Sequence, residues 1–167
     1  YVVRRLDENF EGLPLKAPFP NVTTHVENKG DSVAVTAEAA FSGKQSLKVQ
    51  DAPELAYFYN PHFTFSCAFT NAVVENRFAV RMQAGAEFFT EWRDYPEDGG
   101  NGYATGVCLV FRDGKVLART RVAGADGKTR GGERLIAELP ADAWANVTVS
   151  AAVGARSSGV WSVKVAR

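Results

Sequence analysis

The chain has 167 residues, 46% of them hydrophobic, which is enough to bury a sizeable core and fits one domain over 1–167. Its 19 Lys and Arg balance 19 Asp and Glu, so the basic stripe that a phosphate backbone requires is missing and nucleic acid is excluded as a partner. The longest apolar runs, such as VCLVF at 107–111, fall far short of the roughly 20 residues that span a bilayer, so no membrane partner is expected.

Helical periodicity is almost absent, and short period-two segments separated by turn residues recur from end to end. This pattern predicts an all-β chain with strands over 4–10, 22–27, 32–37, 46–51, 63–70, 77–83, 87–93, 105–112, 115–121, 133–138, 146–152 and 160–165. Twelve short strands without crossover helices predict an antiparallel β-sandwich of two packed sheets, with a jelly roll as the most economical topology. The start at Tyr1, with neither a methionine nor a signal-peptide profile, leads us to expect one module of a longer protein.

At the N-terminus, DENFEGLP places Asp7, Glu8 and Glu11 near a strand end, and FSGKQSLKV supplies a glycine turn at Gly43 and Lys44. Carboxylates and backbone carbonyls are hard oxygen ligands, so these segments are candidates for calcium. NVT at Asn21 and at Asn146 is a formal glycosylation triplet. His25 and His62 read as surface or loop histidines, and AYFYNPHF carries the exposed-looking rings Tyr57 and Tyr59. Cys67 and Cys108 sit inside apolar runs, where a thiol packs as a small hydrophobe.

The stretch AEFFTEWRDYPEDGGNGY at 86–103 combines carboxylates with aromatic residues and runs into a long polar loop. Alternation puts Glu87, Phe89, Glu91 and Arg93 on one face and Phe88, Thr90, Trp92 and Asp94 on the other. VCLVFRDGKVLARTR is a hairpin whose Asp113-Gly114 pair suits a tight two-residue turn. GADGKTRGG at 124–132 is a looser connection, and LPADAW at 139–144 suggests a single helical turn with Trp144 dropping into the core.

The carboxylate spacing argues against glycoside hydrolysis. Glu87 and Glu91 stand about 13 Å apart along a strand, whereas the reaction needs two carboxyl groups roughly 5 to 10 Å apart. A G-x-S-x-G elbow, a C-x-x-C pair and a phosphate-binding glycine loop are also absent from the sequence. A small lyase or hydrolase centred on Arg81, Glu91, Arg93 and Tyr103 is therefore the weaker reading.

NFEG, then SGKQSLKV, RFAVRM, FRDGKV and LPADAWANVTVSAAV ending in WSVKV resemble the jelly-roll domains of the concanavalin A-like and carbohydrate-binding-module group, lectin-like sandwiches appended to secreted bacterial polysaccharide-degrading enzymes. The resemblance implies a secreted or cell-surface module that binds a polysaccharide or oligosaccharide without cleaving it. It also implies an adjacent catalytic domain in the same chain, or a purely structural accessory role against a glycoside hydrolase. Several such modules hold a structural calcium on the glutamate and turn that Glu11, Gly43 and Lys44 match, with Asp7 as a substitute for an aspartate missing from the last strand. They hold sugars by stacking aromatic rings on pyranose faces. Trp92, Tyr95 and Tyr103, then Tyr57 and Tyr59, match that role, with Arg81, Glu91 and Arg93 as polar contacts. Trp144 and Trp161 are expected in the core.

Overall fold

Alternating β-branched and aromatic residues favour extended backbone, and in the computed structural model of this chain they form eleven strands among the described residues, all antiparallel in their pairing. The structure describes residues 6–67, 69–96, 102–123, 125–126 and 128–167. The chain divides into two compact units, 1–68 and 69–167.

The first unit holds two small sheets. Strand β1 (Thr23–His25) pairs with β4 (His62–Thr64), and β2 (Ser32–Thr36) pairs with β3 (Ser46–Gln50). Val33 and Val35 alternate inward on β2, and the free edge of that strand is covered by residues 16 and 17 through bonds from Lys16 N to Val35 O and from Val35 N to Ala17 O. Phe19 meets Phe10 on one side and Phe63 on the other, both edge to face. Asp31 is buried where the chain enters β2, and it accepts the amides of Glu27 and Lys29.

The second unit holds β5 (Ala72–Arg81), β6 (Phe88–Asp94), β7 (Ala104–Arg112), β8 (Lys115–Ala123), β9 (Thr129–Glu138), β10 (Trp144–Val153), a 3-10 turn at Gly154–Arg156, and β11 (Trp161–Ala166). They form a four-stranded sheet in the order β6-β7-β8-β9 and a three-stranded sheet in the order β11-β10-β5. One cluster joins the two sheets: Val107, Leu109 and Phe111 from β7, Val116 and Ala118 from β8, and Ala145, Val147 and Val149 from β10, closed by Leu139. The Phe88 ring stacks on Phe111 at 4.4 Å.

The predicted β7–β8 hairpin is present, with Asp113 and Gly114 at φ 51° and 70° joining paired Arg112 and Lys115. Several boundaries differ from those the sequence pattern predicts. Residues 6–10 of the predicted first strand are irregular, with Phe10 at positive φ, and residues 4 and 5 lie outside the described set. The strand predicted over 63–70 stops at Thr64, whereas β5 begins at Ala72, well before the predicted 77. Residues 140–143 form a hydrogen-bonded turn, closed by Ala143 N to Pro140 O. Ala145 faces the core rather than Trp144, because the alternation on β10 buries 145, 147 and 149. Trp161 does pack against the cluster.

Phe111 is fully buried, so Phe111→Ala is expected to cost about 3 to 5 kcal/mol in chemical denaturation. Leu135→Ala, at a side chain 52% exposed, should stay within about 0.5 kcal/mol of the parent.

Candidate functional site

The outer face of the four-stranded sheet carries the polar residues singled out from the sequence. On β6, Phe88 and Trp92 pack against the core, so Phe89, Glu91 and Arg93 take the other face. The pairing with β7 shifts between Glu91 and Arg93: Glu91 lies opposite Cys108 but Arg93 lies opposite Thr105. This bulge turns Thr105 toward the carboxylate.

Glu91 accepts Arg93 Nε at 2.7 Å and Tyr103 Oη at 3.4 Å on Oε1, and Thr105 Oγ1 at 3.4 Å on Oε2. The Arg93 guanidinium lies 4.4 Å from the centre of the Tyr103 ring, in cation–π range. Tyr95 and Tyr103 are neighbours, with centroids 5.5 Å apart and planes inclined by 49°. Burial works against the charge on Arg93, but hydrogen bonds to Tyr95 and Glu91 outweigh it and hold the guanidinium above its ordinary range. The cluster is therefore a fixed ion pair with two exposed rings beside it.

Beyond it, Phe89, Val110, Leu117 and Leu135 lie opposite one another across four strands. Arginines bridge over this apolar row: Arg112 pairs with Glu87 and Glu133, and Arg119 pairs with Glu133 and lies 5.8 Å from the Phe89 ring. Cys108 is buried beneath, and desolvation pushes its thiol up despite the nearby Arg119. Both Cys67 and Cys108 are thiols.

Two predicted residues fall elsewhere in this unit. Trp92 is half-buried with its ring against the core. Arg81, on β5 of the other sheet, pairs with Asp142 at 2.6 Å and donates Nε to its carbonyl, bracing the turn before β10. Much of the 95–103 loop, residues 97–101, lies outside the described residues.

In the first unit, Tyr57 and Tyr59 stack at 5.3 Å with planes 22° apart. Phe58, which the sequence pattern does not single out, lies between them in the chain and is 92% exposed. The loop is held by Glu27, whose carboxylate accepts Ala56 N at 2.7 Å, Tyr57 N at 3.0 Å and Asn60 Nδ2 at 3.0 Å, and pairs with Lys29 at 3.3 Å. Lys29 Nζ also donates to the Glu54 carbonyl. The Ala56 amide is the largest influence; with Asn60, Tyr57 and Lys29 it overcomes burial and holds the Glu27 carboxyl down at about 2. Local sequence gives no sign of this role, because the loop partners lie about thirty positions downstream.

Glu11 and the Gly43–Lys44 turn do come together. Lys44 N and Gln45 N both donate to Glu11 Oε1, at 2.7 and 2.8 Å, and these two amides lower the carboxyl pKa. Gly43 has φ 70°, and a Cβ there would fall within contact distance of Oε1, so the position requires glycine. A calcium ion needs six to eight oxygen ligands, whereas this turn aims amide hydrogens at the carboxylate. Asp7 is exposed, and among the described residues no group of three or more His, Cys, Asp or Glu is placed to hold a metal. As placed, Glu11, Asp7, Gly43 and Lys44 do not fit a calcium cage.

No family model, no curated protein and no solved structure matches this chain.

Trp92→Ala should destabilise the second unit by about 3 kcal/mol, read by chemical denaturation, because it removes a core-packed ring. Because folding lowers the Glu27 pKa from 4.5 to about 2, its stabilisation is complete above the unfolded value and is lost as pH falls from about 4.5 toward 2. The protection of the Ala56 and Tyr57 amides, taken as the exchange rate relative to that of an unstructured chain at the same pH, should therefore fall over that window in the parent. In Glu27→Gln that protection should be low already at neutral pH and should show no further loss between about pH 4.5 and 2.

Proposed function

We propose that this chain is a non-catalytic polysaccharide-binding module of a secreted or cell-surface protein, folded as a jelly-roll sandwich of the concanavalin A-like type. The observation that carries the reading is the Glu91–Arg93–Tyr103 cluster with Tyr95 beside it, where rings 57% and 45% exposed adjoin a carboxylate and a guanidinium already fixed in place. A pyranose has apolar C–H faces and hydroxyl edges. A tyrosine ring offers a flat apolar surface with a polar tip, so the sugar stacks on the ring while its hydroxyls reach Glu91 and Arg93.

The same cluster is a poor hydrolytic pair. Glu91 is bound to Arg93 and Glu87 to Arg112, so each carboxylate is balanced by its own cation, and neither is placed as a proton-sharing partner of the other. Binding energy goes into holding the chain, not into breaking it. Tyr57, Phe58 and Tyr59 form a second group of exposed rings for the same ligand class.

Affinity electrophoresis against plant and algal polysaccharides tests the reading. Retardation without new reducing or unsaturated ends is expected. Tyr103→Ala should weaken it by about ten-fold, ~1.4 kcal/mol, with unfolding still cooperative. Silence across the panel would favour a structural accessory domain, and released product would make the chain an enzyme.

A further inference from the structure

The chain has two histidines, His25 and His62, and the fold brings them together. In the β1–β4 register they lie directly opposite each other, so both side chains occupy one face while Thr24 and Phe63 take the other. Their imidazole rings lie face to face, with centroids 4.4 Å apart and planes 13° from parallel.

One ring has a hydrogen-bonded backing. His62 Nδ1 is 2.9 Å from Asn60 Oδ1, and Asn60 Nδ2 donates to Glu27 Oε1 at 3.0 Å. Because the amide nitrogen of Asn60 is turned to Glu27, its oxygen is the atom facing His62 and must accept. His62 Nδ1 therefore carries the proton, and Nε2 is the basic nitrogen. An acceptor behind one ring nitrogen is the arrangement that fixes the tautomer and orientation of metal-binding histidines.

We propose that His25 and His62 form a two-histidine site for a divalent transition-metal ion of the zinc, nickel or copper class, with water completing the coordination. Imidazole suits these ions, whereas calcium and magnesium prefer oxygen. Zinc at about 2.0 to 2.1 Å from each nitrogen holds a tetrahedral pair roughly 3.3 Å apart. Ring-nitrogen lone pairs lie in the ring planes, so the exposed His25 ring turns out of the parallel stack until its nitrogen converges with His62 Nε2 on the ion, a side-chain rotation that leaves both strands and the His62–Asn60 bond in place. His25 is exposed, giving the ion a path from solvent. Glu27 stays outside the site, since its oxygens serve Ala56, Tyr57, Asn60 and Lys29. The bound ion cross-links β1 to β4. Through Asn60, and through the Tyr59 ring set edge-on to His62, it steadies the Tyr57–Tyr59 loop. The site is independent of whether the chain binds a sugar.

The test is titration of the whole chain with Zn2+ and with Ni2+, following the imidazole nitrogens by NMR and the melting temperature by calorimetry. One saturable equivalent is expected, shifting the Nε2 signal of His62 and the ring signals of His25 and raising the melting temperature. His25→Gln and His62→Ala should each remove that equivalent, and Asn60→Ala should weaken it by about ten- to a hundred-fold. Circular dichroism verifies folding, with His25→Gln the variant least able to disturb it because the side chain is exposed. Binding that survives His25→Gln, ring signals that do not move, or the lack of a saturable phase in the parent would overturn the proposal.

Discussion

The double-sided burial of β7 organises the second unit. From Val107 to Phe111 five consecutive residues are buried, which a strand achieves only when both faces are covered. Val107, Leu109 and Phe111 meet the opposite sheet. Cys108 and Val110 face the other way and are shielded by side chains of their own sheet: Phe89 and Leu117 beside Val110, with the Arg112 and Arg119 guanidinium groups bridging to Glu133. Arginine stems cover apolar surface while their charged heads stay wet. The charge ladder thus acts as a lid over the apolar row, and the ion pair at Glu91 is one rung of it, placed by the same packing that secures the core.

Several acidic side chains in this protein serve as acceptors for the backbone. Glu11 takes two amides, Asp31 takes two, and Glu27 takes two amides and an asparagine. Charged acceptors make stronger bonds than neutral ones, so a single carboxylate can fix a loop that has little apolar surface to bury. The lowered pKa values of Glu11, Glu27 and Asp31 share this origin. A carboxylate in such a position stays ionised, and it is unsuited to the general-acid work for which a raised pKa is needed.

What the sequence made legible were features governed by nearest neighbours. The Asp113-Gly114 turn, the alternation on β6 and β10, and the all-β character follow from local propensity and period, and each is present in the structure. The first predicted strand is not formed over 6–10, because Glu8 Oε1 takes the Phe10 amide and turns the chain there. The turn of LPADAW into an alternating strand predicts Trp144 in the core, but the register of β10 gives that face to Ala145. The grip of Glu27 on Ala56 and Tyr57 and the meeting of His25 with His62 depend on closure between distant segments, which no local pattern encodes.

Trp92 and Tyr103 show how one backbone irregularity decides which aromatic residues are available to a ligand. Size and flatness make Trp92 the better stacking surface of the two. Strict alternation from Phe88, however, commits it to the core face, where its ring is half-buried against the cluster. The bulge opposite Glu91 re-aims β7 so that Thr105 returns to the outer face, and Tyr103, two residues earlier, follows it onto the carboxylate. Without that extra residue, Thr105 and Cys108 would lie on opposite faces, and Glu91 would lose its hydroxyl neighbour from β7. The candidate site is thus a consequence of register, and the exposed rings beside it are those that the register leaves free of the core.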